Sequence, residues 1–236
     1  MKTNQLKVKE GRTELTLVHN GENLTFIYPC FGPDTYANVN DLIEEAKLER
    51  PTMSQTASLV HAAFNSDDKY STEIKELLKK RWLWTFTGIL YVPNEGAYIQ
   101  DKPRIKDRMP FIEKSELVKK LEQNDHSVRF VPFGFKTESM KPSELAKNKF
   151  VVGLAGEEGA EKLAEISDKF KNDPFLWGFK SVDETITRVS ALGSYWGSVR
   201  GLLVDGYDHG YYRGGYAFGY APKNSTGNKP LKKKLY

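Results

Sequence analysis

Thiol chemistry is nearly absent from this sequence, in which Cys30 is the single cysteine. That excludes an intrachain disulfide and a cysteine-built metal cage, and it fits a reducing, cytoplasmic setting. Long apolar runs are missing as well. Nothing approaches the ~18 uninterrupted apolar residues that cross a bilayer, so no membrane partner is expected. The opening MKTNQLKVKEGRTEL also lacks the apolar core of a secretion leader. Histidine is sparse: His19, His61, His126 and His209 are too far apart to form the i, i+4 pair of a zinc helix. A phosphate loop is disfavoured too. The run Gly153-Leu154-Ala155-Gly156-Glu157-Glu158-Gly159 lacks the closing Lys-Ser/Thr, and it sets two carboxylates at the positive end of the helix expected after it.

Nor does the body of the chain carry an excess of either charge. The formal charge is +4, yet residues 223–236, KNSTGNKPLKKKLY, hold five lysines and no acid, which leaves the preceding residues at −1. The basic end reads as a flexible tail that attracts nucleic acid or another polyanion weakly, in a salt-dependent way. A basic balance located in a tail says little about the surface of the body.

What is present is a globular composition of 236 residues, 39% hydrophobic and 12% aromatic. That is enough to bury a substantial core as one domain over 1–222. Asn20-Gly21 predicts a hairpin over Thr13–Tyr28, because a type I′ turn needs positive φ at both central positions. Counting outward pairs Leu17 with Leu24, Leu15 with Phe26 and Thr16 with Thr25, giving one apolar and one polar face. Three helices are expected next. Asn38 caps the first, which is apolar at Val39, Leu42, Ile43 and Ala46 and ends at Pro51. Thr52 and Gln55 form a capping box for the second. Ile74, Leu77, Leu78 and Trp82 stripe the third, where Glu76 pairs with Lys80.

Leu83–Val92 reads as a central strand that turns at Pro93–Gly96 into Ala97–Gln100. The charged stretch 101–109 reads as a solvated connection. Short helices are expected over Ser115–Glu122 and from Pro142, and Val128–Phe135 is an edge strand because Pro132 removes a donor. Phe150–Ala155 reads as a buried strand leading into a helix over Glu157–Lys171, with a further strand at Phe175–Phe179. The fold class is α+β: a single compact domain with a mixed β-sheet and an N-terminal hairpin, covered by several helices. The sheet would draw on the hairpin and the segments near 83, 97, 128, 150 and 175.

The densest chemistry lies in Ser190–Ala221, SALGSYWGSVRGLLVDGYDHGYYRGGYAFGYA. Val182, Ile186, Val189, Trp196, Val199 and Leu203 recur at helical spacing, predicting a helix from about Asp183 to about Leu203. Serines and glycines four apart would let another backbone approach that helix. Beyond Leu203, five glycines between 206 and 220 each cost ~1 kcal/mol in a helix, so loops and short strands are expected, with Tyr216–Tyr220 a terminal strand.

Two functional readings of this segment differ in class. In the first it is a non-catalytic binding surface over 195–220. Trp196, Tyr207, Tyr211 and Tyr212 offer flat faces, Arg200 and Arg213 add positive charge, and Asp205, Asp208 and His209 supply polar contacts for stacked bases or sugars. In the second, Asp205, Asp208 and His209 are ligands or acid-base groups of a metal-dependent hydrolase. Against both stands a plainer role, in which Asp205 and Asp208 only accept backbone N–H bonds in turns. No motif names a cofactor, and Cys30 reads as a small buried hydrophobe rather than a nucleophile.

Overall fold

The computed structural model describes residues 5–9, 12–194 and 201–222. Strands β1 (Gln5–Lys9), β2 (Arg12–His19) and β3 (Glu22–Tyr28) form an antiparallel sheet of their own. Asn20 and Gly21 take φ of 48° and 75°, and the pairs Leu17–Leu24, Leu15–Phe26 and Thr16–Thr25 stand opposite one another as the turn chemistry predicts. Next come β4 (Phe31–Asp34), α1 (Tyr36–Glu45), α2 (Met53–Phe64) and α3 (Lys69–Lys80). The trunk of the molecule follows as β5 (Trp82–Val92), then β6 (Gly96–Asp101), β7 (Arg104–Lys106), β8 (Met109–Phe111), α4 (Lys114–Glu122) and β9 (Val128–Pro132). The chain closes with α5 (Pro142–Leu145), α6 (Lys149–Ser167), β10 (Phe175–Trp177), β11 (Ile186–Gly193), β12 (Leu203–Asp208) and β13 (Gly215–Ala217).

An eight-stranded mixed sheet runs in the order β10-β12-β11-β5-β13-β4, with β6 and β9 branching from β5. The branch exists because β5 is long: Trp82 and Leu83 pair with β13, whereas Thr87–Val92 pair with β6, and β11 lies along the other side. Only β10–β12 and β13–β5 are parallel among the described pairs. Side chains alternate across β5. Leu83, Ile89 and Tyr91 join the main core with residues of α2, α3 and α6, while Trp84 and Phe86 pack with Tyr36, Val39 and Ile43 of α1, and Leu90 and Val92 pack with Leu117 of α4. Helices therefore cover both faces, which is why β5 reads as an almost unbroken apolar run.

The capping box forms as expected: Thr52 Oγ1 accepts from Gln55 N and Gln55 Oε1 accepts from Thr52 N. The Glu76–Lys80 ion pair closes at 2.9 Å. Other local readings need correction. Thr35, not Asn38, caps α1. Trp82 opens β5 instead of extending α3, because Arg81 is already extended. Stretch 101–109 is not all connection: it holds β7 and the turn into β8, which pair as a hairpin. Phe150–Ala155 belongs to α6, capped by Asn148 and kinked at Gly156, where φ is 71° and ψ is 171°. A short apolar run buried on all sides has no exposed face to reveal its period, so it fits strand and helix equally.

The largest correction concerns the helix expected from Asp183 to Leu203. Ile186–Gly193 is instead β11, set between β5 and β12, and Leu203 begins β12, while residues 195–200 of that expected helix lie outside the described residues. Burial on both faces of a central strand again erased the periodicity. The hairpin also stands outside the eight-stranded sheet. It joins it through 219–221, where Ile27 N donates to Gly219 O and Ala221 N to Thr25 O. The terminal strand itself is shorter than expected, Gly215–Ala217, with Tyr220 continuing only as isolated bridges to Phe26 and Glu49.

Candidate functional site

Gly193 pairs with Leu203 at one end of the β11–β12 ladder and Val189 with Asp208 at the other. Between Ala191 and Val189 the register slips: three steps along β12 match two along β11, a bulge that leaves one residue of β12 without an opposite number. Asp205 sits at this slip, paired with Ala191 on one side and Trp177 on the other. Its Oδ1 accepts from Tyr207 N at 2.6 Å, and the residue is only 6% exposed. Burial pushes it up to about 7, with the nearby Asp208 charge adding to the rise. Asp208 repeats the turn two residues later, its Oδ1 accepting from Gly210 N at 2.6 Å. Its carboxyl is also raised by burial, against the opposing pull of Gly210 N–H, His209 and Arg188.

The bulge places Tyr207 on an aromatic ledge. Its ring stacks on Phe179 at 4.3 Å between centroids, lies 6.3 Å from Trp177, and meets the exposed His209 edge-on at 6.4 Å. Phe175 continues the row, 5.1 Å from Trp177. Tyr91 supports it from inside, 5.1 Å from Phe179, with its hydroxyl donating to Gly206 O. Arg188 lies over this row, its guanidinium carbon 5.3 Å from the Phe179 centroid and 6.0 Å from that of Tyr207. One terminal nitrogen donates to Thr187 O, whereas Nε is buried without a hydrogen-bond partner among the described residues. The strand bearing Phe175 and Trp177 lies at the end of the sheet order, so these rings are half-buried.

Past Gly210, whose carbonyl accepts from Tyr36 N, the chain crosses the start of α1. Tyr211, Tyr212 and Arg213 are exposed there. Arg213 faces Asp34, whose carboxyl is held low first by Thr35 N–H and the Asn38 amide, then by Arg213 and Arg108.

Of the nine residues expected at the site, Asp205, Tyr207, Asp208, His209, Tyr211, Tyr212 and Arg213 are described, and they divide into two neighbourhoods, with Tyr207 on the ledge itself. Asp208 and His209 border the ledge, Asp205 is buried in the bulge, and Tyr211, Tyr212 and Arg213 lie beyond it near Asp34. Trp196 and Arg200 lie outside the described residues. Trp177, Phe179 and Arg188 were missed, since they come from segments that carry no motif. The alternation of Phe175, Trp177 and Phe179 in an expected strand was the one available signal. Among the described residues no three His, Cys, Asp or Glu side chains are placed to hold a metal ion. No known protein family, characterised protein or solved structure matches this chain.

Proposed function

We propose that the protein is a non-catalytic binding protein whose aromatic ledge stacks the rings of single-stranded nucleic acid. One observation carries the reading: Trp177, Tyr207 and Phe179 form a part-exposed aromatic row with Arg188 lying over two of its rings. Aromatic faces accept any base, and a guanidinium beside them adds both cation–π attraction and a partner for phosphate. His209 and Arg213 extend the polar surface, and the lysine-rich residues 223–236 supply long-range attraction. Stacking is worth about 1–3 kcal/mol per base, so Tyr207→Ala is expected to weaken binding about tenfold.

The test is quenching of tryptophan emission by an oligothymidylate at low salt, with an acidic oligosaccharide run in parallel. Quenching by the oligonucleotide that Tyr207→Ala reduces supports the proposal. Response to the oligosaccharide alone replaces the ligand class, and no response to either removes the reading.

A hydrolase that uses Asp205, Asp208 and His209 has one observation in its favour, the Asp205 carboxyl held near neutrality, where a proton can be both given and taken. Calorimetric uptake of a divalent metal that disappears in Asp205→Asn, Asp208→Asn would favour it over the binding reading.

A further inference from the structure

A cleft of about 450 Å³ opens between the β2–β3 turn, the start of α2 and residues 220–222, and it shares no residue with the aromatic ledge. Its walls include His19, Glu49, Gln55, Lys102 and Tyr220. His19 is held in place. Its Nδ1 lies 2.9 Å from the hydroxyl of Ser58, which is 2% exposed. That hydroxyl also reaches Ser54 O at 3.1 Å and Lys162 Nζ at 2.9 Å, and Lys162 is in turn bound by Glu158.

Proton bookkeeping fixes the tautomer. A hydroxyl has one proton to give, the Ser54 carbonyl only accepts, and an ammonium only donates. Ser58 therefore gives its proton to Ser54 and accepts from both Lys162 and His19, so the imidazole proton sits on Nδ1. Nε2 keeps its lone pair, and it is the polar atom His19 has left for the cleft. The ring is held neutral by burial first and by the Lys162 charge second, against Glu158 on α6 and Glu22 on β3, so its pKa falls below the ordinary 6.5.

The rest of the wall is matched in charge. Lys102 Nζ donates to Glu49 Oε2 at 2.8 Å and to the Tyr220 hydroxyl at 2.5 Å, which leaves the phenolic proton for another acceptor. Gln55 spends its Oε1 on the α2 capping box and keeps its NH₂. Because that box occupies first-turn donors of α2, and Glu22 and Glu49 border the cleft, an anion is poorly served there. Leu24 and Pro222 add an apolar patch.

We propose that this cleft binds a neutral, hydroxyl-rich molecule of sugar size, with His19 Nε2 accepting a hydroxyl proton and the Tyr220 hydroxyl and Gln55 NH₂ donating to its oxygens. A sugar hydroxyl donates and accepts at once, which suits mixed, charge-compensated walls, and the volume lies within the range of small-molecule sites. The Nε2 contact requires the neutral ring, so binding weakens as pH falls below 6.5 and His19 takes a second proton.

The experiment is saturation-transfer NMR on the full chain with glucose, galactose and N-acetylglucosamine, using methyl phosphate, an anion whose methyl protons report binding, as the charged control. Transfer to at least one sugar and none to methyl phosphate is expected at pH 7.5. It should fall at least fivefold in Tyr220→Phe, which keeps the ring and the fold, and in His19→Phe, and it should remain in Tyr207→Ala on the ledge. No transfer to any sugar, preferential transfer to methyl phosphate, or full transfer in either Tyr220→Phe or His19→Phe would overturn the proposal. Because Tyr207→Ala tests only the ledge, the two binding readings fail separately.

Discussion

Asp205 shows how a single buried carboxyl ties local geometry to pH. It is raised from 3.8 to about 7 by burial, so the folded chain keeps a proton that the unfolded chain releases near 3.8. Its stabilising contribution is complete below pH 4, declines as pH rises to about 7, and is constant above that. The range amounts to about 4 kcal/mol. Asp208 is raised in the same direction and adds to the slope. Urea unfolding between pH 4 and 8 should therefore show stability falling toward neutrality, with a shallower fall in Asp205→Asn. An unchanged slope in the variant would mean that Asp205 ionises freely in the folded protein. Both aspartates also show that a sequence cluster of chemically suitable groups can be consumed by the backbone: each turns an oxygen onto an N–H two residues on. Cys30, expected to be buried, is half-buried against the main core, and its thiol is pushed up to about 11 by burial.

Elements in this protein are decided by what lies beside them. A β-carbon on Gly215 would stand 2.0 Å from Nε1 of Trp84, a fully buried indole whose N–H donates to Asp34 O. β13 reaches β5 and β4 together only because residue 215 lacks a side chain. Gly215→Ala is thus expected to destabilise by about 3 kcal/mol through overpacking, against about 1 kcal/mol for Thr52→Ala, which removes only a cap. Equal midpoints for the two variants in denaturant would show that the β13–Trp84 contact yields without cost. The two misread segments belong at this scale as well. Phe150–Ala155 is buried within α6, and Val189–Gly193 is buried within β11, so neither displays the polar face from which a period is read. Where a turn sets the count, as Asn20-Gly21 does in the β2–β3 hairpin, the register could be read residue by residue.

At the scale of the whole molecule, one eight-stranded mixed sheet is covered by helices on both faces, and no helix among the described residues is long and apolar enough to cross a membrane. The basic charge is concentrated in 223–236, beyond the last core residue, Tyr220. Removing those residues is expected to leave the unfolding transition in place while lowering oligonucleotide affinity and flattening its salt dependence. If the salt slope persists, the attraction resides on the body instead. By itself the sequence determined the α+β class, the hairpin and its register, the capping box of α2 and the central strand β5, because turn chemistry, caps and one-sided burial are written within a few neighbouring residues. Tertiary structure decided the sheet order, the strand β11, the kinked helix α6, and the meeting of Trp177, Phe179, Arg188 and Tyr207 on one ledge. Those outcomes depend on contacts between residues distant along the chain, where local spacing carries no information about which face will find a partner.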